Sequence, residues 1–390
     1  MAQDRAQAPS IPVRTLFVSL ELASRSWKLA AADSQARKPS QAVVSPFDPE
    51  SLAHGLERAR RKFGLPADSP VMLCMEAGRD GFSVHRWLAW LGMESIVIDP
   101  ASVAVNRQKR RAKNDRLDAL MLLGCLLRHG AGEEGVWRVC RVPSEEAEDL
   151  RQVHRSRKTL VEERTRHSNR IRSLLATQGV RVRVTSKLKD DLPSLRDPRE
   201  KALGKHLQAT LRRMLELLEL LEEQIRGLDA EMRAWLAEQP GEDAGPSEAK
   251  VWRMAQLLGI GHVTAHTLVA ELFGWREFSN RKEVGAVAGL TPTPYDTGES
   301  TREQGISKAG NDRVRALSIE AAWCWLRHQP ESELSRWYRD KFLCGGKRQV
   351  RKGIVALARK LLIALWHWVE HDILPPGAVL MSTSPLRQNG

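Results

Sequence analysis

Cysteine is scarce here and odd in number. Cys74, Cys125, Cys140, Cys324 and Cys344 are the five in 390 residues, and no two are spaced as a metal-binding pair. That excludes a disulfide framework and a zinc site, and leads to an expectation of reduced thiols in a cytoplasmic protein. Aromatic residues make up only 5% of the chain, in keeping with a soluble, helix-rich protein. Long apolar runs are missing. The longest, "GIVALARKLLIALWHWV", is broken by Arg359 and Lys360 and is too charged to span a bilayer, so no membrane partner is expected. The opening "MAQDRAQAPSIP" is polar and does not read as a signal peptide. No repeat of fixed period is present.

Basic charge is abundant. Lysine and arginine number 61 against 48 acids, a formal charge of +13. Such a balance is silent on fold but predicts attraction to a polyanion, most simply nucleic acid. The length favours two or three domains over one core.

Residues 1–13 read as a disordered leader. Over 14–140, apolar runs such as "TLFVSLEL", "SWKLAAAD", "SQAVVSPF", "PVMLCMEA" and "ESIVIDP" alternate with helical patterns such as "PESLAHGLERARRKF" and "GFSVHRWLAWL". Strands alternating with helices predict an α/β sheet domain. Residues 141–240 read as a helical arm. Pro143-Ser144 followed by Glu145, Glu146 and Glu148 starts a long helix, with eight Arg/Lys and two Glu across Arg151–Arg172. A second helix carries Leu211, Met214, Leu218, Leu221, Ile225, Leu228, Met232 and Trp235 at alternating steps of three and four, the pattern of a coiled-coil seam. "EQPGEDAGPSE" reads as a linker. From 249 to 375 the chain reads as helical with glycine punctuation, and 376–390 as a flexible tail. His154 and His167 are expected on the surface.

Four acids stand out. Glu21 lies in an apolar run and Glu76 ends another, where a charged group is rare unless it is paired or bound to metal. Asp115 and Asp118, three apart, share a helix face. Before them lie Arg107, Lys109, Arg110, Arg111 and Lys113, suited to a phosphate backbone. Converging carboxylates of this kind would hold Mg²⁺ and act on a phosphodiester. The alternative is a solvated helix start whose aspartates complement the helix dipole. Further nucleic-acid contacts are expected from Arg155 and Lys158 in the basic helix, from the Gly259–Gly261 turn, and from Ser307, Lys308, Asn311 and Arg313. Trp366 and Trp368 are read mainly as core, with base stacking as the lesser role.

"LFVSLELASRSW", "MEAGRDGFSVHRWL", "VIDPASVAVNRQKRRAKNDRLDAL" and "GLTPTPYDTGESTREQGISKAGNDRVR", in this order, resemble the insertion-sequence one-ten family of DEDD transposases, the bridge recombinases. The resemblance implies an α/β plus α architecture: a RuvC-like, RNase H-type amino-terminal domain, a coiled-coil helical hairpin and a mainly helical transposase domain. It maps the metal-binding acids onto Glu21, Glu76, Asp115 and Asp118. The nucleophilic serine of the family falls on Thr297, with Ser300 as the second choice. The family's first acid is usually Asp and is Glu21 here. Implied partners are element-end and target DNA, a non-coding bridge RNA and further copies of the chain as a dimer or tetramer. Two rivals remain at this point: a metal-dependent junction-type nuclease using the acids alone, and a decayed copy that binds nucleic acid without cutting it.

Overall fold

The computed structural model describes residues 14–35, 38–103, 115–236, 240–241, 245–297 and 300–381. The chain divides after Pro143 into two compact units.

The first unit is built on a five-stranded sheet of β1 (Leu16–Glu21), β2 (Trp27–Ala32), β3 (Ser40–Val44), β4 (Val71–Glu76) and β5 (Ser95–Ile98), in the order β3-β2-β1-β4-β5. β1, β2 and β3 form an antiparallel meander, while β4 and β5 join β1 in parallel. The parallel connections run through helices, as parallel pairing requires. α1 (Pro49–Phe63) starts where the Asp48 side chain accepts from Ser51 N–H, and stops at Gly64 in the left-handed conformation. α2 (Gly81–Trp90) links β4 to β5, and α3 (Asp115–Gly130) follows β5.

Both sheet faces are covered, and period-two alternation sorts the side chains. Leu16, Val18 and Leu20 of β1 pack with Leu73 and Met75 of β4 against Leu52 and Leu56 of α1 and Val84 and Leu88 of α2. Phe17 and Cys74 point the other way, toward Ala119, Leu122 and Leu126 of α3. α3 is held by more than apolar contact. The buried Ser19 hydroxyl donates to the carbonyl of Ala119 at 2.6 Å.

The second unit begins with α4 (Glu145–Ala176), capped by the Ser144 hydroxyl accepting from Ala147 N–H. Short α5 (Leu188–Asp191) leads to α6 (Lys205–Ala234). α4 and α6 pack along each other within one chain. The seam residues Leu211, Leu218, Leu221, Ile225 and Met232 are buried, and so is Leu215; Met214, Leu228 and Trp235 are half-buried. The far end of the pair has a core of its own, including Ile171, Leu175, Leu192 and Leu203.

The remaining elements are α7 (Pro246–Ala255), α8 (His262–Leu268), α9 (Arg281–Val287), β6 (Pro292–Thr297), β7 (Ser300–Ile306), α10 (Asp312–His328), α11 (Glu333–Tyr338) and α12 (Lys347–His371). Their core includes Phe273, Trp325, Leu357, Leu361 and Leu365. Trp366 is buried there, and Trp368 donates its indole N–H to the Arg253 carbonyl, so both serve packing. Glycine-punctuated helix was the expectation for this region, yet β6 and β7 form an antiparallel hairpin. Proline-rich "TPTPY" reads as loop because proline cannot donate, but a two-stranded ribbon has outer edges that need no donor. Residues 376–381, expected in a loose tail, are tied down. Leu258 N–H donates to Val379, Met381 N–H donates to Gln256, and Gln329 binds Val379 on both sides. No helix among the described residues is long and apolar enough to cross a membrane.

The α4–α6 seam is expected to carry the stability of this pair. Leu218→Ala should cost about 2–5 kcal/mol, the usual range for a buried leucine. Leu218→Glu with Ile225→Glu should unpair the helices, read as a lower midpoint in urea unfolding followed by helical circular dichroism.

Candidate active site

β1 and β4 are neighbours in parallel register, with Leu20 opposite Met75, so Glu21 and Glu76 end adjacent strands. Such strands lie about 4.8 Å apart. Alternation from Phe17 and Ser19 puts Glu21 on the α3 face of the sheet, and alternation from Met72 and Cys74 does the same for Glu76. Both are half-buried at the carboxyl ends of their strands, where open α/β sheets form sites. They line one concavity of about 310 Å³ with Gly78, Arg79 and Asp80. Asp115 and Asp118 occupy the first turn of α3, exposed and half-buried respectively. The Ser19–Ala119 hydrogen bond fixes that turn to β1 two residues before Glu21.

The β4–α2 turn is tight. A Cβ on Gly81 would fall far inside van der Waals contact with the Glu76 carbonyl. Arg79 forms a two-point ion pair with Asp80, both contacts at 2.8 Å, at the mouth of the concavity. That pairing raises Arg79 above and holds Asp80 below the ordinary values. Burial, then Cys125 and Glu76, pushes the Cys74 thiol up, so it supplies no thiolate. Among the described residues, no group of three or more His, Cys, Asp or Glu is spaced to hold a metal ion. The acids that line one concavity are therefore Glu21 and Glu76 with Asp80, which sequence reasoning missed and whose partner is Arg79. Gly81→Ala should displace the end of β4 and cost about 1–3 kcal/mol as overpacking does, measured by thermal unfolding.

In the second unit, Thr297 and Ser300 form the last pair of the β6–β7 ladder. Ser307 N–H donates to the Thr291 carbonyl and Lys308 N–H to Gly289, anchoring the root of the hairpin. The basic residues Arg107, Lys109, Arg110, Arg111 and Lys113 lie outside the described residues. Lys158 is exposed, 3.8 Å from Glu162, and Arg313 is exposed at the start of α10. Gly259 takes φ +89°, and a Cβ there would come within 2.9 Å of His328 Cβ. Gly261 only precedes the seven-residue α8. The Gly259–Gly261 turn is thus packed on α10 at its first glycine.

Two expected phosphate contacts are corrected. Arg155 directs Nε and Nη2 at the Glu271 carboxylate, at 2.9 and 3.1 Å. Asn311 donates Nδ2 to the same carboxylate at 2.9 Å, while its Oδ1 caps α10. Glu271 is only 2% exposed, and a buried carboxylate requires such partners. His154, expected on the surface, is buried with Nε2 3.2 Å from Glu271. Burial raises the Glu271 carboxyl, but His154 and Arg155 outweigh it and hold the group well below the usual range. His266, buried beside His154 and Trp235, is pushed down to about 4, first by burial and then by the neighbouring His154 and His262.

Both shifts fix a sign. A histidine whose folded value is depressed contributes stability that is complete above its unfolded value of about 6.5 and is lost toward pH 4. Glu271 adds a loss beginning near its unfolded value of about 4.3 and continuing below it. Urea unfolding should therefore show the second unit weakening by on the order of 3 kcal/mol between pH 7 and pH 4. His266→Phe should remove most of that dependence.

Two family models match separate stretches of the chain, the amino-terminal one crossing the boundary between the two units. Residues 253–339 match the family model described as "Transposase IS116/IS110/IS902 family". Residues 29–178 match a model named DEDD_Tnp_IS110 and described as a transposase, a span holding Glu76, Asp115 and Asp118 and starting after Glu21. "Putative transposase y4rJ" of Sinorhizobium fredii is 39% identical over 97% of this chain and 98% of its own length. "Transposase for insertion sequence element IS1328" of Yersinia enterocolitica is 24% identical over 80% of this chain and 90% of its own. "Transposase for insertion sequence element IS1111A" of Coxiella burnetii is 26% identical over 75% and 76%. The chain belongs to the IS116/IS110/IS902 family of transposases.

Proposed function

We propose that this transposase cuts and rejoins the DNA of its own insertion element and of a target, by transesterification at the hairpin hydroxyl with the aid of the strand-end acids. The observation that carries the reading is the placement of Glu21 and Glu76 on adjacent parallel strand ends, on the face that α3 covers. Hard carboxylate oxygens suit Mg²⁺, which is commonly bound by one or two carboxylates, waters and substrate phosphate. Glu21 and Glu76 would hold the ion; the family resemblance adds Asp115 and Asp118 as further ligands of a RuvC-like, RNase H-type site, and these would have to draw closer when the ion and DNA bind. When bound, it would offset charge developing on the phosphodiester oxygens.

The chain's own residues do the rest. The Thr297 oxygen attacks phosphorus, a Thr297–phosphate ester forms, and the bond to the leaving DNA oxygen breaks. The proton lost by the threonine ends on that departing oxygen, so one ester replaces another and no water is consumed. Thr297 pairs with Ser300 across the ladder, so a second hydroxyl-bearing residue shares the hairpin tip. Guidance by a bridge RNA and assembly as a dimer or tetramer come from the family resemblance. Exposed Lys158, Arg166, Arg170 and Arg172 on α4 supply a surface of the required sign for an RNA backbone.

Denaturing electrophoresis with labelled element ends, Mg²⁺ and the RNA tests the chemistry. Thr297→Ala should abolish the protein–DNA adduct and Thr297→Ser should keep it. Asp118→Asn should abolish Mg²⁺-dependent cleavage, lowering the rate at least about 100-fold, with RNA binding intact. An adduct that survives Thr297→Ala and disappears with Ser300→Ala would move the nucleophile to Ser300. Cleavage without any adduct would favour a nuclease that uses the acids alone.

A further inference from the structure

The second unit has a large groove that the chemistry above does not use. It is a concavity of about 1040 Å³ running beside α12 from Arg348 to His367, roughly 28 Å at 1.5 Å per residue. Its other wall is the root of the β6–β7 hairpin at Pro292, Gly305 and Ile306. α12 contributes Arg348, Arg351, Lys352, Arg359 and Lys360. Arg281 and Lys282, at the start of α9, and Lys308, just past the hairpin, complete the rim. No acid lines it.

These cations are not balanced among the described residues. None of the eight makes an ion pair among the described residues, whereas Lys189, Lys250 and Arg253 elsewhere in this unit all do. Lys360 instead sits 4.7 Å over the Trp337 ring, and the Nε of Arg359 is buried without a hydrogen-bond partner. Crowding unpaired cations along one groove costs stability unless an anion of matching length lies in it. The floor is apolar: Leu290, Ile306, Leu334, Val355 and Ile363 line it, with Trp337 among them.

We propose that this groove seats one unpaired strand of DNA, phosphates along the cationic rim and bases against the apolar floor and Trp337. The inference rests on the recombinase reading, which makes DNA the polyanion at the hairpin. A duplex keeps its bases stacked inside and would touch only the rim. An unpaired strand can present phosphates and base faces at once, and aromatic rings beside a basic track are how such strands are held. The groove reaches the root of the hairpin whose tip carries Thr297 and Ser300, so a strand lying in it runs alongside the element that bears the nucleophile.

Fluorescence anisotropy of the full chain with labelled oligothymidylate, a duplex of equal length and oligouridylate tests this. Replacing Arg348, Arg351 and Lys352 together by Ala should weaken single-strand DNA binding at least about tenfold at 50 mM salt, and lower the slope of log K against log salt by about 2, at ~0.7 per contact. Arg212→Ala, Arg213→Ala and Arg226→Ala together remove equal charge from exposed positions on α6 and should leave binding within about twofold. Ala356→Phe, which fills the floor, should weaken single-strand but not duplex binding. Equal losses in both triple variants, equal effects of Ala356→Phe on strand and duplex, or a groove that takes only the RNA oligomer would overturn the proposal. Photocrosslinking of 4-thiothymidine strands to the wild-type protein checks it without mutation, and crosslinks that avoid α12 and Trp337 count against it. A protein that seats the strand as described yet forms no DNA adduct would remove the recombinase reading alone. Adduct formation with strand affinity unchanged by the groove triple variant would remove this inference alone.

Discussion

The Glu271 carboxylate is the point on which the second unit depends. It is buried, it is charged, and its ligands come from places far apart in the chain. Arg155 and His154 reach it from α4, and Asn311 from the cap of α10, while its own carbonyl accepts from the Trp275 indole. Arg151, only 6% exposed, stacks on the Trp275 ring at 4.5 Å, and Arg276 lies over the same ring at 4.2 Å. The indole thus receives two guanidiniums, while Glu271, with Glu148 as the lesser contributor, supplies negative charge to the cluster. A second ion pair forms two residues further along α4, with Arg157 on Asp229 of α6 at 2.6 Å and His262 beside them. These contacts join the long α4–α6 pair to the compact helical body. Removing one partner would leave charges buried and uncompensated, the expensive way to break a buried pair.

That network explains which parts of the chain could be read in advance. β1 and β4 were legible because alternation is local: the apolar run around each acid shows its burial, and the acid shows where the strand ends. The α4–α6 pairing was legible because the spacing of Leu211, Leu218 and Ile225 lies within a single helix. Glu271 was not. It stands in an apolar stretch, "TLVAELFGW", as Glu21 does in its own, but its partners lie 116 residues before and 40 residues after it. The isolated acid was a usable signal there; the identity of its partners was not available from spacing. The same distance hid the burial of His154 and turned Arg155 and Asn311 from apparent nucleic-acid contacts into internal ones. The strand-end placement of Glu21 and Glu76 and the shared helix face of Asp115 and Asp118 were legible in the residues; there a joint metal site stood beside a solvated helix start as an alternative, and the family resemblance favoured the metal site.

The two candidate sites differ in how their charge is arranged. At the strand ends, carboxylates gather and the nearby Arg79 is already paired with Asp80. Along α12, cations gather, and no carboxylate among the described residues answers them. An enzyme working on a phosphodiester needs both signs: negative ligands to hold a cation at the reacting group, and positive side chains to hold the rest of the strand. The basic track also runs on a regular helix packed by Leu357, Leu361 and Leu365. Its charges are therefore presented at fixed intervals from a rigid element.

α8 passes directly into a π-helical turn at Val269–Phe273, and Glu271 is its middle residue. Such a turn holds one residue more than regular helix can accommodate. Deleting a single residue here would close the turn to ordinary helix and leave the chain beyond it facing nearly as before. Glu271, in the middle of the turn, would lose the position from which it meets Arg155 and Asn311. This stretch should therefore keep its length across related transposases even where its side chains drift, and gaps in their alignment should collect in the connections between helices.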